Sequence, residues 1–157
     1  MKFIFSVIII FFLIIIQSSL YPYLQINNAF PDLILIVVLT LSILQGYKKH
    51  IVWPLIGGFF LDIFSFRNPI GASILGLLIV SYLGYFLSQN LFKKFSPISI
   101  IIIGTGGILF YRFFIDLILL ISGTNFQFSL IQLTTQVAYD VVVLVPLFYL
   151  IKKFKNV

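Results

Sequence analysis

Six apolar runs, joined by connections of a few polar residues, take up almost the whole chain. They are Phe3–Leu20, Pro31–Leu44, Ile51–Phe66, Pro69–Phe92, Pro97–Ser122 and Ser129–Ile151. A helix crosses the hydrocarbon core of a bilayer with about 20 apolar residues, or somewhat fewer where its neighbours thin the membrane. In water such runs would have to be covered by charge, and a soluble domain carries about 25% charged residues. This 157-residue chain is 61% hydrophobic and only 9% charged. That is too little to clothe a water-facing surface. A soluble enzyme, a disordered tail and a nucleic-acid-binding module are therefore excluded. The pattern predicts an all-α integral membrane protein, with residues 1–157 forming a single polytopic domain and a bundle of six transmembrane helices. Pro31, Pro69 and Pro97 stand at the head of their runs, where the missing N–H of proline costs nothing. The short connections predict antiparallel neighbours.

Lysine placement predicts the orientation. Lys2 precedes the first run, Lys48 and Lys49 follow the second, Lys93 and Lys94 the fourth, and Lys152, Lys153 and Lys155 the sixth. With six spans every lysine falls on one side, which is then the cytoplasm, and both termini are inside. The opposite connections Tyr21–Phe30 and Gly123–Phe128 carry no lysine or arginine, and Arg67 alone breaks the pattern. The net charge of +6 is accordingly read as a determinant of topology and a contact for anionic lipid, not as a nucleic-acid patch. Residues 1–20 also have the outline of a signal peptide. Gln17-Ser18-Ser19-Leu20 makes a poor cleavage site, so the first run is expected to be retained.

Charged groups within such runs are costly and need a reason. In the fifth run Gly104, Ile108, Arg112 and Asp116 recur every four residues, so Arg112 and Asp116 share a face and are expected to pair. In the sixth, Gln132, Gln136 and Asp140 form a polar stripe that should face the bundle. In the third, Pro54, Gly58 and Asp62 share a face, with Ser65 just beyond. Asp32 follows Pro31 at a helix start, where a carboxylate complements exposed N–H groups. Asp62 has no basic partner on its own face, and Arg67 is placed to reach back to it. By depth these charges gather in the outer half of the bundle. Arg112 with its aspartates thus reads either as glue between helices or as a ligand or partner site. Ala72, Gly76, Val80, Gly84 and Ser88 step along one face of the fourth run, while Gly57 and Gly58 adjoin in the third. Small residues of this kind let helices approach closely, within the chain or against a partner's helix.

The inventory for catalysis is thin. There is no cysteine and no glutamate, and four aspartates and His50 are the whole stock of acid–base groups. No second histidine or cysteine can complete a metal site with His50, which sits beside Lys48 and Lys49 at the expected headgroup level. The stretch Gly104-Thr105-Gly106-Gly107 lacks the lysine of a phosphate loop. Asp62 and Asp140 could converge from two helices, but no protease-like motif surrounds either. No enzymatic activity, cofactor or metal is expected.

One stretch is more specific. Pro31-Asp32-Leu33 opens the second run, which ends in Gly46-Tyr47-Lys48-Lys49. Gly57-Gly58-Phe59-Phe60-Leu61-Asp62-Ile63-Phe64-Ser65 then leads to Pro69-Ile70-Gly71-Ala72, and Ser81-Tyr82-Leu83-Gly84 follows. This resembles the rod shape-determining protein MreD family over residues 31–84. The chain departs from the family pattern where Phe66-Arg67 replaces the glycine after the serine and Ile70 replaces a leucine. The resemblance implies a six-helix fold similar to the substrate-binding subunits of energy-coupling-factor transporters. It also implies a non-enzymatic scaffold of the bacterial cytoplasmic membrane. Such a scaffold binds MreC and, through it, connects MreB with RodA and its transpeptidase partner in peptidoglycan synthesis and cell shape. On that reading the face of Ala72, Gly76 and Gly84 would receive the partner's helix, and Asp32, Asp62 and Arg67 would orient its extracytoplasmic segment. The alternative is a small-solute-binding subunit of an energy-coupling-factor-type transporter, with Asp62, Arg112, Asp116, Gln136 and Asp140 around an outward cavity. The Ile/Phe-rich first run lacks the small-residue docking motifs that such subunits present. A proton-coupled channel ranks last, since the second run offers almost no polar path.

Overall fold

The computed structural model describes residues 2–24, 29–46, 51–65, 69–90, 96–123 and 130–155. Among these the chain forms six α-helices: α1 (Lys2–Leu24), α2 (Leu33–Gln45), α3 (Val52–Ser65), α4 (Ala72–Asn90), α5 (Pro97–Ile121) and α6 (Leu130–Lys155). Three of them are long and apolar enough to cross a membrane: α4, α5 and α6 up to Lys153. The apolar stretches Ser6–Ser19, Leu33–Leu44 and Val52–Phe64 are shorter. The 13 residues of α2 extend about 20 Å at 1.5 Å per residue, well short of a hydrocarbon core about 30 Å thick.

The shortness of α2 follows from its position, because it is the axis of the bundle. It packs against all five other helices, and every residue from Ile34 to Leu44 is buried. A helix that is apolar all round has to be enclosed in this way. Its two hydroxyl residues satisfy themselves locally: Thr40 Oγ1 donates to the Ile36 carbonyl at 2.8 Å and Ser42 Oγ to that of Val38 at 2.8 Å. Around this axis α3 packs on α4, α4 on α5, and α5 on α6, while α1 lies against α3 and α2.

Residue pairings give the directions. Gly58 of α3 meets Ile74, and Gly57 of α3 meets Leu77. Gly76 of α4 meets Tyr111 and Gly107 of α5 meets Val80. Gly104 of α5 meets Leu144 and Gly107 also meets Leu39. Thus α3, α4, α5 and α6 alternate in direction, as the short connections predict, and α2 runs parallel to α4 and α6.

The glycine face of α4 is consumed inside the chain. Gly76 receives the Tyr111 and Phe114 rings of α5, and Gly84 receives Leu39 and Ile43 of α2. Ala72, Val80 and Ser88 on the same face are buried as well. Among the described glycines the tightest site is Gly58, where a Cβ would stand 2.5 Å from Ile74 Cα and 2.6 Å from its nitrogen. The stripe, read from the sequence as internal packing or else as a landing for a partner's helix, is an internal seam.

Two of the three prolines depart from their expected places. Pro97 opens α5 behind the Ser96 cap, as predicted. Pro31 lies outside the helix, immediately before Asp32, the N-cap of α2. Pro69 lies in a turn: the Ala72 N–H bonds the Pro69 carbonyl at 3.1 Å and Gly71 adopts φ +100°. Only glycine takes that conformation without strain, so α4 begins after Gly71 and not at Pro69.

Candidate functional site

The polar residues that the sequence scatters over five segments meet in one layer across the bundle. Its centre is the first turn of α2. Asp32 is an N-cap whose Oδ1 accepts from the Leu35 N–H at 3.2 Å, while its own carbonyl accepts from the Ile36 N–H at 3.1 Å. The Asp32 N–H, left over by this arrangement, donates to Asp140 Oδ1 of α6 at 2.7 Å. One turn earlier on α6, Gln136 Nε2 donates to the Phe30 carbonyl. Gln136 and Asp140 therefore act as a two-point clamp on the backbone that leads into α2.

The clamp matters because of where it sits. Asp140 lies about 15 Å along α6 from Leu130, and Arg112 about 14 Å from the end of α5 at Ile121. The segment Ala29–Asp32 therefore dips well below the ends of both helices before α2 begins, and Ala29, Pro31 and Asp32 are buried there. Non-helical backbone at such depth is tolerated only where protein groups satisfy it. The polar stripe of α6, predicted to face the bundle, supplies those groups.

Arg112 of α5 completes the centre. Its Nη2 lies 3.7 Å from Asp32 Oδ2 and 3.7 Å from Asp140 Oδ2. These ion pairs tie α5 to the start of α2 and to α6, beyond the same-helix pairing with Asp116 that the sequence predicts. Asp116 is half-buried, one turn along the same helix. Neither 3.7 Å contact is short enough for a hydrogen bond. Arg112 Nε, Arg112 Nη2 and Asp140 Oδ2 are buried and carry no hydrogen bond among the described residues. The Arg112 guanidinium carbon stands 6.0 Å from the centre of the Tyr111 ring, within cation–π range.

Tyr111 links this centre to a second one. It is buried, and a side-chain hydrogen bond joins it to Ser73 of α4. The Ser73 N–H donates to Asp62 Oδ1 at 2.9 Å and the Gly71 N–H to Asp62 Oδ2 at 2.7 Å. Asp62, only 3% exposed, is thus the cap of the next helix, supplied from α3. The first N–H groups of a helix lack intrahelical partners, and a carboxylate there also complements the helix dipole. This accounts for an aspartate that has no basic partner on its own face.

Several predicted positions lie outside the described residues: Arg67, His50, Lys48, Lys49, Lys93 and Lys94. Ser65 closes α3, with its side chain outside the description. Asp62 and Asp140 bind different backbone N–H groups, Asp62 those of Gly71 and Ser73 and Asp140 that of Asp32. Tyr111, Ser73 and the Phe30 carbonyl belong to the layer although no sequence pattern singles them out. Among the described residues no cluster of three metal-ligating side chains occurs. No family model, curated protein or solved structure matches this chain.

Proposed function

We propose that the chain is a multi-pass protein of the bacterial cytoplasmic membrane, a six-helix bundle with both termini inside. On this reading it is a non-enzymatic scaffold of the MreD type, which binds an MreC-like protein in the cell-elongation machinery. The observation that carries the reading concerns residues 31–84. Asp32 and Asp62, the two carboxylates within the stretch that bears the resemblance, are bound to backbone N–H groups that open α2 and α4. They build architecture and perform no chemistry. The lysines, placed on one side by the six-run division, support the orientation. The docking surface for the partner is the outward apolar face of the bundle, because the Gly76–Gly84 seam is filled by α5 and α2.

A mild-detergent pull-down of the tagged, full-length protein, read by mass spectrometry, tests this. Recovery of a single-span coiled-coil protein of MreC type with wall synthases is expected. A second reading, a small-solute-binding subunit, is favoured by one observation: the unpartnered Arg112 and Asp140 atoms at the centre of the layer. It predicts recovery of a membrane coupling subunit with two ATPases instead. Recovery of neither set removes both readings.

A further inference from the structure

Arg112 Nη2 and Asp140 Oδ2 face each other inside the bundle without a hydrogen bond, and Arg112 Nε is unpartnered as well. Arg112 Nε and Nη2 are donors, and Asp140 Oδ2 is an acceptor. Leaving such groups unsatisfied in a buried site is unfavourable, the more so when they are charged. Nη2 stands 3.7 Å from Asp140 Oδ2 and the same distance from Asp32 Oδ2. That is too long for direct bonds, yet short enough for both sides to share one atom lying about 2.8–3.0 Å from each.

We propose that Arg112, Asp140 and Asp32 hold a single hydroxyl-type oxygen, which accepts from Arg112 Nη2 and donates to Asp140 Oδ2. The charges choose this chemistry. Arg112 opposes a metal or ammonium ion, and the two carboxylates oppose an anion. An oxygen that both accepts and donates satisfies both sides through one atom. Buried water fills this role in many proteins where polar groups lack partners. A hydroxyl of a small polyol or sugar-like molecule offers the same chemistry. The Asp140 side chain is 0% exposed and that of Asp32 8%, whereas Arg112 is 26% exposed. The oxygen is proposed independently of the scaffold reading, since it depends only on three side chains and their spacing.

The test is a structure of the full-length protein in lipid nanodiscs, at a resolution that shows ordered water, with and without glycerol as the polyol probe. A peak within about 3.2 Å of both Arg112 Nη2 and Asp140 Oδ2 is expected. An isolated peak in both samples identifies water, and a peak continuous with glycerol density identifies a polyol hydroxyl. Either supports the proposal. Direct contact of Arg112 Nη2 with Asp140 Oδ2 below about 3.2 Å, with no peak between them, overturns it. The Arg112→Met variant adds a second reading. Loss of the peak with the Asp32–Asp140 bond retained is expected there, and a peak that survives overturns the role given to Arg112. Should that variant not fold, the wild-type density decides alone.

Discussion

The backbone N–H of Asp32 donates to Asp140 Oδ1 at 2.7 Å, joining residues 108 positions apart in the chain. This bond and the Gln136–Phe30 bond beside it hold an extended segment inside a bundle of helices. Asp140→Leu removes the acceptor and keeps the branched shape of the side chain, although its methyl groups are bulkier than the oxygens. The chain has no cysteine, so Ala29→Cys, at a position 0% exposed, provides a single clean reporter. We expect its labelling by a membrane-impermeant maleimide to rise at least about tenfold when Asp140→Leu is added, which corresponds to about 1.4 kcal/mol. Unchanged labelling would show that the segment is held by packing alone.

Asp62 ties α3 to α4 through two N–H groups. Asp62→Ala orphans both, at a cost of about 2–5 kcal/mol, yet α3 becomes more apolar and its membrane integration should not suffer. The expected outcome is normal membrane recovery with a melting temperature lower by several degrees, followed through the fluorescence of Trp53. Asp62→Asn, which keeps one acceptor, should fall between Asp62→Ala and wild type. An unaltered melting curve for Asp62→Ala would contradict the capping role.

Glycines that look alike in the sequence are expected to respond oppositely. At Gly58 a Cβ meets the Ile74 backbone at 2.5 Å, whereas at Gly106 nothing lies within 4 Å. Gly58→Ala forces α3 from α4 and should abolish accumulation of folded protein. Gly106→Ala should leave stability unchanged or raise it by up to about 1 kcal/mol, the helix-propensity difference. Size-exclusion profiles of the two variants in one detergent decide the matter.

Gly104 is an intermediate case, because its added Cβ meets the Leu144 side chain at 2.9 Å and no backbone. Gly104→Ala alone should destabilise, and Leu144→Ala alone should leave a cavity costing about 2–5 kcal/mol. The double variant should be less damaged than the sum, with a coupling of about 1 kcal/mol. Strict additivity of the three melting temperatures would place the strain elsewhere.

The helices were legible because apolar runs bounded by lysine, proline and asparagine leave few alternatives, and the four-residue stripes in α4 and α6 do mark buried faces. The helix starts were less so. Pro31 and Pro69 carry the ordinary signal of a first turn, but a capping aspartate and a left-handed Gly71 take that place. The Arg112–Asp116 expectation used the nearest opposite charge along the chain and so left out Asp32 and Asp140. Arg112 meets Asp32 and Asp140 because a short axial helix brings its first turn to the level of both, and nothing within 20 residues of Arg112 announces that. Gln136 and Asp140 were visible as a stripe, while their partners, a carbonyl and an N–H, are written in no side chain. Backbone groups that need satisfying leave no trace in a sequence until the path of the chain is known.

The enclosure of α2 has a consequence for biogenesis. A segment about 20 Å long, flanked by a backbone stretch whose carbonyl and N–H depend on a helix made more than 100 residues later, has no stable place in lipid when it leaves the ribosome. It must wait, shielded or at the membrane surface, until α6 is synthesised. The sixth helix is therefore the one that locks the second into the bundle. A chain truncated before Gln136 should be a substrate for membrane quality control rather than a smaller working protein, even though α4 and α5 would both be in place.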